Sequence, residues 1–207
     1  MRYDDQRTAV QPRSRAGSAR RKPAQFEVLG ERFDSLQEVH DFLQSTQPDV
    51  PEVVIRLTDG APLQPTSQTL WHYYQPDQRI VLDGVGRKVD GTRKGRPTPG
   101  YFLSYRPAVG DGSTEDTPVA ANLEVRNLTI RGFQSGGIEI SPQRVAGEDN
   151  KWDGGEAAFV EGAHIHGVTF KDLGSKNSRA RDTDWAGMRF GAGGIMARGV
   201  RKSTFEN

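Results

Sequence analysis

The chain has 207 residues, 34% hydrophobic and 27% charged, with a formal net charge of +1, a composition that suits one globular domain with a core of its own. It contains no cysteine, which removes disulfides, zinc–thiolate sites and cysteine nucleophiles together and fits either a cytosolic protein or a bacterial secreted one. No run of about 18 apolar residues occurs, so no membrane partner is expected, and the N-terminus lacks the apolar h-region of a secretory signal.

Residues 1–25 form a basic arm. Arg2, Arg7, Arg13, Arg15, Arg20, Arg21 and Lys22 stand there against Asp4 and Asp5, which leaves the rest of the chain mildly acidic. The arm reads as a disordered, solvated leader, in preference to a nucleic-acid tether. Folding is expected over 26–207. Ser35-Leu36-Gln37-Glu38 is a capping box, and Leu36, Val39, Phe42 and Leu43 make a one-faced amphipathic helix that ends near Thr46, ahead of Pro48 and Pro51.

Beyond the helix the apolar period changes to two. Short bursts occur at Val53–Leu57, Ile80–Leu82, Tyr101–Leu103 and from Leu123 onward, each of strand length. The 24 glycines and 12 prolines, against 8% aromatic residues, also favour short strands joined by turns. Val85 to Gly100, with Arg87, Lys88, Arg93, Lys94 and Arg96 among glycines and prolines, reads as an exposed loop.

An internal repeat organises the second half. Val125-Arg126-Asn127-Leu128-Thr129-Ile130 matches Ile165-His166-Gly167-Val168-Thr169-Phe170, and both match Val200-Arg201-Lys202-Ser203-Thr204-Phe205. The spacing of large apolar residues requires a bend at 126–127, 166–167 and 201–202, because a straight strand alternates its faces. Gly136-Gly137-Ile138-Glu139-Ile140 likewise matches Gly193-Gly194-Ile195-Met196-Ala197. Such units bury their apolar sides by stacking.

These segments, VRNLTIRGFQSGGIEI, HIHGVTFKDLGSK and GGIMARGVRKSTFEN, resemble the coils of right-handed parallel β-helix repeat proteins of the pectate-lyase-like superfamily, and GERFDSLQEVHDFLQ followed by VVIRLTDG resembles their cap helix and first strand. The resemblance implies an all-β fold class, a right-handed single-stranded parallel β-helix with an N-terminal amphipathic cap helix. It implies a carbohydrate-active protein with a polysaccharide partner, read first as a polysaccharide lyase on acidic, uronate-containing chains. A non-catalytic glycan-binding or tailspike-like surface protein and a glycoside hydrolase are the alternatives. It also favours an extracellular location, although no signal peptide stands in this sequence. The stop at Phe205-Glu206-Asn207, inside a unit, reads as a truncated fragment with an uncapped end open to self-association.

By the same resemblance, the functional groove lies over the Gly-Gly-Ile strand, around an outward-facing Glu139 and between the long loops 141–162 and 174–193. A lyase must neutralise the substrate carboxylate, remove the neighbouring proton and protonate the leaving oxygen. Glu139, Lys176, Arg179, Arg181 and Arg198 are the catalytic candidates. Trp152, Trp185 and Arg189 could bind sugar, and Asp182 and Asp184 could hold calcium through hard oxygen ligands. A hydrolase would instead pair Glu139 with Asp182 or Asp184. His164 and His166 share one face of a strand and could present two imidazoles to a metal. No third ligand stands at a convincing spacing, so they read as a surface pair beside a bend.

Overall fold

The structure, a computed structural model, describes residues 24–58, 68–107, 119–120, 122–141, 160–174 and 193–206. The basic arm, as far as residue 23, lies outside them. Strands β1 (Phe26–Val28) and β2 (Glu31–Phe33) form a hairpin turning through Leu29 and Gly30, both at positive φ. Helix α1 (Leu36–Thr46) comes next. Ser35 caps it as expected, its Oγ accepting from the Glu38 N–H at 3.1 Å. The Glu38 carboxylate returns to the Asp34 N–H at 2.9 Å, one residue earlier than a capping box would place it. The helix closes at Gln47, left-handed at φ 42°, whose N–H donates to the Leu43 carbonyl. Leu36, Val39 and Leu43 are buried, and Phe42 packs on Phe33 with ring centroids 5.1 Å apart.

The remaining strands are β3 (Glu52–Leu57), β4 (Thr69–Trp71), β5 (Arg79–Asp90), β6 (Tyr101–Tyr105), β7 (Val119–Ala120), β8 (Leu123–Arg131), β9 (Gly136–Ile140), β10 (Val160–Glu161), β11 (His164–Lys171), β12 (Gly193–Ala197), β13 (Val200–Arg201) and β14 (Thr204–Glu206). They make a seven-stranded sheet β14-β11-β8-β5-β3-β1-β2, a four-stranded sheet β12-β9-β6-β4 and a three-stranded sheet β13-β10-β7. The pairings from β3 onward are parallel; β1 pairs antiparallel with both β2 and β3.

This architecture corrects the expected fold class. The chain is not an all-β right-handed parallel β-helix but a mixed α/β arrangement, with about 56% of the described residues in strand and 9% in helix, built on parallel and mixed sheets. The helix belongs to the main core with Phe26, Val53 and Ile55, and the largest sheet opens on an antiparallel hairpin. Period-two bursts report strands and their faces, but the closure of sheets around an axis is a long-range property that they do not encode.

Register in the seven-stranded sheet is simple, and it sets which side chains meet. Ile55, Leu82, Val125, Ile165 and Phe205 occupy one position on successive strands. The first four are buried, each contributing on the order of 1.5–3 kcal/mol by its removal from water. On the opposite face, one position to either side, run the rows Val54-Val81-Glu124-His164-Thr204 and Arg56-Asp83-Arg126-His166-Glu206.

The first two repeat copies align as expected, and their bends fall at Asn127 (φ 53°) and Gly167 (φ 58°). The third does not. Val200 pairs with Val160 and Phe205 with Ile165, so Val200–Phe205 corresponds to Val160–Ile165. Lys202 (φ 48°) shares its bend with Gly162 (φ 78°) and Asn122 (φ 46°), between the three- and seven-stranded sheets. Two bends with the same local grammar make the segments look equivalent. The basic stretch after Val85 is also strand in part: β5 resumes after a register shift, Arg87, Lys88 and Val89 pair with Leu128, Thr129 and Ile130, and Val89 is buried.

The Gly-Gly match is structural. Gly136 and Gly193 pair, as do Ile138 and Ile195, and the second glycine of each pair faces the ring of Phe170. A Cβ on Gly194 would stand 2.7 Å from Phe170 Cγ, closer than packing allows. Gly194→Ala is therefore expected to cost about 1–3 kcal/mol in urea unfolding. The cost should shrink when Phe170→Leu is already present, giving a favourable coupling in a double-mutant cycle.

Candidate functional site

Of the residues singled out from sequence, Lys176, Arg179, Arg181, Arg189, Trp152, Trp185, Asp182 and Asp184 lie outside the described residues. Glu139 and Arg198 are described, and both belong to the four-stranded sheet or its edge. Glu139 stands opposite Ser104 on β6 and Met196 on β12. It is not open to a groove: only 4% of the residue is exposed. The Ser104 hydroxyl and the Arg106 guanidinium both donate to its carboxylate, the latter at 2.9 Å. A buried carboxylate needs such partners. Arg106 keeps 43% of its side chain exposed, so the pair sits at a solvent boundary. Its Nε–H is buried and finds no acceptor among the described residues.

Arg198 enters through the backbone. Its N–H donates to the Ile140 carbonyl, the Ser141 N–H to Tyr105 and the Arg106 N–H to Trp71. Arg106, Ser141 and Arg198 thus occupy equivalent places just past the carboxyl ends of β6, β9 and β12. Two interstrand steps, about 9.6 Å, separate the two arginine backbones. Tyr101 completes the cluster. Burial raises the pKa of its phenol, Glu139 raises it further, and Arg198 and Arg106 only partly offset both. The phenol therefore keeps its proton to higher pH than an ordinary tyrosine.

A second cluster lies on the outer rows of the seven-stranded sheet. His164 and His166 stack with centroids 4.3 Å apart and planes 21° apart. Glu124, one strand away, is 3% exposed. Its Oε1 lies 2.9 Å from both His166 Nε2 and Arg126 Nη1, and Arg79 pairs with its Oε2. Arg126 is shared with Asp83 at 2.9 Å and Arg79 with Glu52 at 3.6 Å. Glu206 Oε1 stands 3.8 Å from His164 Nε2. One ligand atom each from Glu124, His164 and His166 lie within 4.8 Å of one another. The third ligand that spacing along the chain does not supply is a cross-strand neighbour. The strand-period signal around Leu123 could have found it only with the register in hand.

No family model matches the chain, and neither a curated protein nor a solved structure matches it. Among the described residues no helix is long and apolar enough to cross a membrane.

The ion-pair row makes a pH prediction. Burial would raise the pKa of Asp83, but the Val85 N–H and the Arg126 and Asn127 side chains outweigh it and hold the carboxyl below the usual range. A carboxyl depressed on folding stabilises the native state above the unfolded pKa and loses that contribution as pH falls through the folded one. Asp83→Asn is expected to lower the urea midpoint at neutral pH. The gap to the parent should close as the pH is taken below about 3.9, the ordinary carboxyl value.

Proposed function

We propose that the chain binds an acidic, uronate-containing polysaccharide at the carboxyl ends of β6, β9 and β12 and cleaves it by β-elimination. The observation that carries the reading is that Arg106 and Arg198 occupy equivalent places just past two strands of one sheet, with Arg106 paired to the Glu139 carboxylate. Guanidinium groups suit carboxylates by charge and by their forked donors. They would neutralise the substrate carboxylate and so favour loss of the proton beside it. Tyr101, whose phenol keeps its proton above the ordinary tyrosine range, would donate to the leaving oxygen. Glu139 sets the position of Arg106 and needs no direct contact with sugar.

The likeness of the Gly-Gly-Ile and Thr-bearing segments to those of the pectate-lyase-like superfamily is one of local sequence alone, and it is consistent with the same substrate class. Lys176, Arg179 and Arg181 remain the proposed bases, Trp152, Trp185 and Arg189 the proposed sugar contacts, and Asp182 and Asp184 the proposed calcium ligands. Retention of Glu139 by Ser104 and Arg106 speaks against its use as one half of a hydrolytic carboxylate pair.

Pectate and alginate, each with and without calcium, are the direct substrates to offer while ultraviolet absorbance of the unsaturated product is monitored. A rise that falls at least tenfold in Arg198→Ala, with folding unchanged by circular dichroism, is the expected outcome. Salt-sensitive binding without product would reduce the reading to a glycan-binding protein. Reducing-sugar release without absorbance would replace it by hydrolysis, and neither binding nor product would remove it.

A further inference from the structure

We infer that Glu124, His164 and His166 form a site for a borderline-soft divalent transition metal such as zinc, with Glu206 positioned to join them. Three features of the outer rows lead there. Imidazole and carboxylate donors are the set that zinc takes in proteins without thiolates, and one ligand atom from each of the three residues already lies within 4.8 Å of the others. The donors also come from separate strands: Glu124 from β8, the histidines from β11 and Glu206 from β14. Rigid strands fix their relative places better than a loop would.

Charge is the obvious objection, since Arg79 and Arg126 both touch Glu124. Each arginine, however, has a second carboxylate, Glu52 for Arg79 and Asp83 for Arg126. Oε2 of Glu124 can therefore stay with Arg79 while Oε1 turns from His166 to the metal. The hydrogen bond of 2.9 Å between His166 Nε2 and Glu124 Oε1 is then replaced by two metal–ligand bonds from the same atoms, and any shared proton leaves to solvent. Glu206 Oε1, 3.8 Å from His164 Nε2, needs only a side-chain rotation to approach. Its side chain is 62% exposed and has room for that movement.

The consequence is a cross-link over three adjacent strands that ties β14 to the sheet. The competing pair is His40 and His72, since the chain has four histidines. That pair is already engaged: His40 Nε2 accepts the His72 N–H at 3.2 Å, and His72 Nδ1 lies 2.9 Å from the Arg106 carbonyl.

The full chain, stripped of metal, should be titrated calorimetrically with zinc and, separately, monitored by visible absorption with cobalt. One zinc per chain is expected, with affinity at least tenfold weaker in His166→Gln and His164→Ala and unchanged in His72→Ala. The glutamine variant retains a donor for Glu124, so it should fold even where Glu124→Gln does not. Cobalt bands should vanish in the same two variants, and zinc should slow amide exchange at Thr204 and Phe205 in the parent alone. Absence of zinc binding in the parent, equal affinity in His166→Gln, or loss in His72→Ala instead would overturn the assignment.

Discussion

The core and both polar clusters depend on parallel pairing, in a fixed register, of β3, the first part of β5, β8, β11 and β14 and of β4, β6, β9 and β12. When β8 lies on β5, and β11 on β8, with like positions opposed, two results come together. Val125 and Ile165 continue the apolar column begun by Ile55 and Leu82, and the residues between them are brought side by side on the other face. A slip by one residue would exchange the two faces, placing Glu124 and Arg126 in the core and the apolar row in water. Burial of the column is therefore what holds Glu124 against His166 on the neighbouring strand.

The two polar clusters use that scaffold differently. At the ends of β6, β9 and β12 a single buried carboxylate, Glu139, is held by Ser104 and Arg106 with part of the guanidinium at solvent. On the larger sheet the buried carboxylate Glu124 receives two arginines and a histidine, and each arginine is in turn tied to another group. The first arrangement holds one cation, Arg106, at the edge of solvent. The second gathers donors of both kinds at one place. In both, a carboxylate almost out of water costs too much to leave unpaired, and that cost fixes the neighbouring cations.

Local signals are legible where one element suffices. Ser35 and Glu38 announce the helix start, and the period-two bursts mark strands. The Gly-Gly segments match in sequence and in space, because a ring from β11 requires both second-position glycines to lack a Cβ. Errors arise where two elements must be known together. Lys202 and Gly167 both introduce left-handed bends inside similar strings, yet they belong to different corners of the chain, so the third repeat reads five residues out of phase. Glu124 does not stand out as a partner for the histidines because separation along the chain hides adjacency between strands. The expected all-β class fails for a related reason: repetition predicts stacking of strands, but not how the helix and the antiparallel β1-β2 hairpin enter the same core.

Backbone nuclear Overhauser effects across β11 and β14 examine the register itself. With parallel pairing as described, the backbone of Phe205 should show cross-strand contacts to Ile165 and its immediate neighbours, and that of Thr204 to His164. Contacts from Phe205 to the backbone of Phe170, or an antiparallel pattern between these strands, would contradict the register on which the core and both polar clusters rest.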